Sequence, residues 1–100
     1  MSTGNGERRA YPRYPVMWTG SLSGVSEFDS YVLDCRIQNV SISGVHVLVD
    51  RAMAVDSAVT LRIGVLGEFR GTVVWTEGNA VGVRFDESPE QVAKLIKDRV

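Results

Sequence analysis

Apolar and polar residues alternate along most of this chain, and the period is two. Over residues 31–39, Tyr31, Leu33, Cys35 and Ile37 share one parity, opposite Val32, Asp34, Arg36 and Gln38. That is the pattern of a half-buried strand. After a break at residues 41–44, Val45, Val47 and Val49 predict a second strand with those valines on its better-buried face. Residues 51–57 predict a connector, after which Val59, Leu61, Ile63 and Val65 alternate with Thr60, Arg62 and Gly64. Residues 69–76 are rich in β-forming side chains, and Glu77-Gly78-Asn79 is a compact turn signal. Val81, Val83 and Phe85 then alternate with Gly82 and Arg84 on the return, so a hairpin in an antiparallel sheet is expected.

The two ends depart from this period. Residues 1–6 are small and polar and predict a flexible N-terminus, leaving 7–100 as one domain. Pro12 and Pro15 stiffen the next segment and disfavour helix at Tyr11 and Tyr14. An extended strap is expected there, leading into a first strand near residues 16–20, with residues 20–30 forming a generous loop. At the other end, Ser88 can cap a helix, Pro89 suits its first position and Gln91 completes a capping-box pattern. Val92, Leu95 and Ile96 form its apolar stripe, with Arg99 at the edge, over about eleven residues. Lys94, Lys97 and Arg99 complement the C-terminal end of the helix dipole, and Glu90 the N-terminal end. Such a helix is marginal alone and should close one end or face of the sheet. Six strands and one helix point to an all-β fold closed as a barrel, in preference to a two-layer α+β sandwich.

Composition narrows the function classes. With 100 residues the chain has room for one modest core, and 44% hydrophobic with 23% charged residues is globular composition. Two Lys and nine Arg oppose twelve Asp and Glu, giving a net charge of -1. Nonspecific nucleic-acid binding by phosphate neutralisation normally needs a broad basic excess, so no nucleic-acid partner is expected. The single Cys35 precludes an intrachain disulfide and a multi-cysteine zinc site. No secretory core and no apolar run of bilayer length is visible, so no membrane insertion and a cytoplasmic setting are expected. One His, one Cys, no phosphate-loop glycine pattern and no paired carboxylates at a useful spacing give no reaction centre. The expectation is a binding protein that is not an enzyme, with no cofactor and no metal.

Two short segments could bind something. Arg8, Arg9 and Arg13 place three of the eleven basic residues within six positions, offset only by Glu7. This can be a solvated charge cluster. It can equally be a set of planar guanidinium forks, suited to phosphate oxygens and to stacking on flat rings. The second segment is Asn39-Val40-Ser41-Ile42-Ser43-Gly44. Its Asn and Ser side chains can offer donors and acceptors to a ring edge, or can satisfy their own backbone as an ordinary turn. Gly44 would allow a left-handed or tight backbone before Val45.

Taken together, these residues resemble a known family. Arg9-Ala10-Tyr11-Pro12-Arg13 resembles the RxxxR motif of the PilZ domain family, and Asn39 to Gly44 is similar to its second motif, (D/N)xSxxG. Gly71-Thr72-Val73-Val74-Trp75 and Gly82-Val83-Arg84-Phe85 look like the family's late hairpin. The likeness spans roughly residues 7–90, and the order and spacing of the motifs make it more specific than either alone. It implies a six-stranded antiparallel PilZ-type β-barrel with a C-terminal α-helix that binds cyclic di-GMP, a bacterial second messenger. By the same resemblance Arg9 and Arg13 contact phosphates and guanines, with Arg8 as an added contact. Asn39 and Ser41 read guanine, and Gly44 keeps the turn geometry.

The ligand's chemistry suits that carry-over. Cyclic di-GMP has two phosphodiester charges and two purines, which three local Arg residues can answer without making the protein basic. Each charge-assisted hydrogen bond contributes about 1.5–3 kcal/mol, offset in part by ordering of the strap. That ordering is the expected signal to a downstream protein partner. The competing function is a nucleotide-independent interaction module in motility or surface-pilus assembly, whose hallmark would be a broken motif.

Of the remaining residues, Trp75 shares parity with Val73 and is either a stacking wall for guanine or a structural aromatic. Gly82 either allows a close approach at the site or is structural. Trp18 is expected to pack or anchor, His46 to pack or sit on a polar face, and Cys35 to be a small core residue.

Overall fold

The computed structural model describes residues 12–25, 29–64 and 66–97. The segment 1–6, Arg8, Arg9, Val65 and Arg99 lie outside the described residues. Among these residues six strands follow in order: β1 (Tyr14–Val25), β2 (Ser30–Val40), β3 (Gly44–Leu48), β4 (Ala58–Ile63), β5 (Gly67–Glu77) and β6 (Ala80–Phe85). After them comes the one helix among the described residues, α1 (Pro89–Ile96). All pairings are antiparallel, and the sheet closes as a barrel in the order β1-β2-β3-β6-β5-β4.

The expected loop at residues 20–30 is instead mostly strand. β1 runs on to Val25, because Leu22 is fully buried between Leu33 on β2 and Leu61 on β4. Ser21, Ser23 and Gly24 are poor strand formers, yet ladders on both sides satisfy their backbone and override propensity. Elsewhere the alternation reads through into burial. Cys35, Ile37, Val45, Val47, Val59, Leu61, Ile63, Phe69, Val73, Val81, Val83 and Phe85 all point into the barrel. The rings of Phe69 and Phe85 pack with centroids 4.9 Å apart. β4 stops at Ile63, and Leu66 is the next described residue to enter the core. Glu77 and Ala80 pair across a two-residue turn in which Gly78 adopts φ 60°.

The Ser88 hydroxyl caps α1 by accepting from the Gln91 amide at 3.3 Å, with Pro89 in the first turn. Val92 and Ile96, one helical turn apart, sit in the barrel's core cluster. Burying two such side chains is worth about 1.5–3 kcal/mol each, which supports a helix too short to persist alone. Leu95 was expected in the stripe but is 45% exposed, and the helix is eight residues long rather than eleven. Two buried positions spaced by four are enough to seat a helix of this length. No helix among the described residues is long and apolar enough to cross a membrane.

Cys35 is 4% exposed, and burial, with the charge of Asp34 adding to it, pushes its thiol up to about 11. The thiolate is the reactive form. An aromatic disulfide reagent at mildly alkaline pH should leave the native thiol unmodified and titrate one thiol after denaturation. Fast native modification would show that this part of the core opens readily.

Three irregularities shape the outer surface. Register shifts fall between Pro15 and Trp18 on β1, between Ile37 and Asn39 on β2, and between Val73 and Trp75 on β5. Each slips one residue and so exchanges the faces of everything beyond it. The strands are also strongly staggered. Partners followed from Gly24 through Val59 and Gly71 to Phe85, across to Ser43, two residues along to Val45, and across to Val40 return to β1 at Tyr14. This stagger brings the segment just before β1 beside the β2–β3 turn.

Candidate functional site

The two bulges on β2 and β5 create one row of outward-facing residues. Ile37 faces inward opposite Val47, but after the shift Asn39 pairs with His46 on the outer face while Val40 turns into the core. His46 pairs with Gly82, and Gly82 with Trp75. The row Asn39–His46–Gly82–Trp75 therefore crosses four adjacent strands. This corrects the parity assigned to Trp75: Val73 pairs inward with Val83, whereas Trp75 lies on the opposite face. The indole rests over Gly82, where an added Cβ would lie 2.2 Å from Trp75 Nε1. Its ring meets His46 edge-on, with centroids 4.9 Å apart at 77°.

Arg13 docks on the first member of that row. Its Nε donates to Asn39 Oδ1 at 2.7 Å and its Nη1 to Ser41 Oγ at 3.2 Å, with a longer contact from Nη2 to the Gly44 carbonyl at 3.5 Å. The side chain is exposed along its stem, while its head lies against the rim. That partial burial lowers its basicity, and an arginine keeps its charge regardless. Ser41 is fully buried and acts as the hub of the turn. Its Oγ accepts from the Ser43 amide at 3.1 Å and lies 2.8 Å from Ser43 Oγ. The Ser41 amide donates to the Gly44 carbonyl at 2.8 Å.

Of the two backbone roles expected of Gly44, left-handed or tight, the left-handed one does not apply. The positive-φ glycines among the described residues are Gly67 and Gly78, so Gly44 is not needed for left-handed backbone. It is needed for space, because a Cβ there would lie 2.2 Å from the Val83 carbonyl oxygen on β6.

Beside the docked guanidinium lies a cavity of about 290 Å³, lined in part by Arg13, Ser43, His46, Trp75, Gly82 and Arg84. Two cations and two aromatic rings face it, and among the described residues no carboxylate lines it. A larger cavity of about 770 Å³ lies toward the other end of β3, bounded by Thr19, Asp34, Arg36, Leu48, Asp50 and Arg62 among others. Its charges are mixed in sign and give a dianion no net attraction, so we take the smaller cavity as the candidate site. Among the described residues, no group of three or more His, Cys, Asp or Glu could hold a metal ion.

The structure thus brings together Arg13, Asn39, Ser41, Gly44 and Trp75. Arg8 and Arg9 fall outside the described residues. Sequence reading left His46 to pack or to sit on a polar face, outside the site; Val45 and Val47 facing inward place it on the outer face. No curated protein matches this chain. The PilZ domain family model matches residues 7–100, from the arginine segment through the closing helix, and the chain belongs to that family.

Proposed function

We propose that this protein is a cyclic di-GMP receptor of adaptor type. PilZ domains are non-catalytic adaptor modules and generally bind cyclic di-GMP. The observation that carries the reading here is the guanidinium of Arg13 held on Asn39 and Ser41, residues 26 and 28 positions away, at the edge of a cavity that no carboxylate among the described residues lines. In this proposal Arg13 stays on the rim and meets the nucleotide from there, while Arg8 and Arg9 are drawn onto its phosphates. Asn39 and Ser41 address a guanine edge, Gly44 keeps β3 close to β6, and Trp75 offers a ring face for stacking. Ordering of the strap upstream of Arg13 then alters the surface offered to a protein partner in the cytoplasm.

Isothermal titration of the folded chain with cyclic di-GMP tests this and reports stoichiometry together with affinity. Saturable heat is expected. No heat at high micromolar nucleotide, with native circular dichroism, would reject the receptor. A protein partner bound equally with and without nucleotide would instead favour an interaction module.

A further inference from the structure

Arg13 does not choose its seat on Asn39 unaided. An arginine Nε–H only donates, so the Asn39 group facing it must be the carbonyl oxygen, which leaves the amide nitrogen pointing the other way. There Asn39 Nδ2 lies 3.0 Å from His46 Nδ1. An NH₂ group also only donates, so His46 Nδ1 must be the bare, accepting nitrogen, with the ring proton on Nε2. On its far side the imidazole abuts Trp75, which lies over the side-chain-free Gly82. A chain of directed contacts therefore runs from Trp75 through His46 and Asn39 to Arg13.

We infer that His46 is a positioning residue: by accepting from Asn39 Nδ2 it fixes that amide with its oxygen toward Arg13, and so sets where the guanidinium sits. This role stands on the contacts alone. Its consequence for nucleotide affinity rests on the function proposed above.

The arrangement is sensitive to acid. A proton on His46 Nδ1 places donor against donor at Asn39. Flipping the amide satisfies the imidazolium but turns Nδ2 onto Arg13 Nε, which is donor against donor again. Either way one of the two hydrogen bonds at Asn39 is lost, and the flip that relieves the imidazolium gives up the one to Arg13. The groups around His46 agree in sign. Arg13 approaches from the segment before β1 and Arg84 lines the same cavity from β6, while Asn39 on β2 and Trp75 on β5 are uncharged. Burial, followed by the charge of Arg13, holds the imidazole below its ordinary range near about 6.5. The lock is closed at neutral pH and opens only in acid below that range.

Nitrogen-15 NMR on the full chain without nucleotide tests the lock. At neutral pH the His46 proton should reside on Nε2, and the Arg13 Nε–H should be protected from exchange, losing protection as His46 titrates. His46→Gln supplies an acceptor oxygen that does not titrate, so protection should persist into acid. His46→Phe keeps a ring against Trp75 without an acceptor and should lose protection at every pH. A proton on Nδ1 in the wild type, or equal protection of Arg13 in His46→Phe, would overturn the inference. The tautomer measurement decides it even if a variant folds poorly.

In a cyclic di-GMP titration at neutral pH, His46→Phe should bind about five- to tenfold more weakly and His46→Gln within about twofold of wild type. Equal affinity of wild type and His46→Phe would remove the link to the nucleotide. Absence of binding by the wild type would sink the receptor function and leave the NMR experiment to judge the lock.

Discussion

Arg13→Ala is expected to lower affinity for cyclic di-GMP by about a hundredfold or more while leaving the melting temperature within about 3 °C of wild type. The guanidinium touches Asn39, Ser41 and Gly44 at the barrel rim and contributes nothing to the core cluster. Without it, water can reach Asn39 Oδ1, so the folded state gives up a mostly replaceable contact. The bound state gives up charge-assisted hydrogen bonds at about 1.5–3 kcal/mol each. Arg13→Lys should fare little better, since one ammonium cannot span three acceptors set out for a planar fork. Titration calorimetry beside thermal denaturation separates the two effects. Affinity within about threefold of wild type would remove Arg13 from the site.

Gly44→Ala is expected to do the reverse first, costing about 2–3 kcal/mol of stability and lowering the melting temperature by about 8–20 °C. The new methyl would meet backbone: 2.2 Å to the Val83 oxygen and 3.2 Å to the Arg84 Cα. No side-chain rotation relieves that contact, so β3 must part from β6 where the Phe85 amide reaches the Ser43 carbonyl at 2.9 Å. The turn holding Ser41 moves with it, so affinity falls as well. Gly64→Ala is the control, because nothing lies within 4 Å of a Cβ there. Equal stability of the two variants would show that β3 and β6 are not in close contact at Gly44.

The same contrast explains how much the sequence disclosed. Val45, Val47, Val81, Val83, Leu61 and Ile63 announce their buried face by parity alone, because a strand with one wet side must alternate. The terminal helix was visible through Ser88, Pro89 and the Val92–Ile96 spacing, local chemistry that needs no partner. The slips before Asn39 and before Trp75 were not visible. A bulge depends on what each face can bury against its neighbours, and no single strand carries that information. Reading Trp75 with Val73 followed directly from missing one slip. The site was legible as two motifs, but the connection through His46 was not, since it exists only after both bulges have turned Asn39 and Trp75 outward.

The row from Asn39 to Trp75 lies wholly outside a barrel whose inside is filled by other residues. In the receptor proposed above, evolution can therefore revise the recognition chemistry without re-solving the folding problem. Descendants are free to drift toward a different small molecule, or toward none, while inheriting the same scaffold. Gly44 and Gly82 answer to both demands, Gly44 because a neighbouring strand leaves it no room and Gly82 because a tryptophan lies across it.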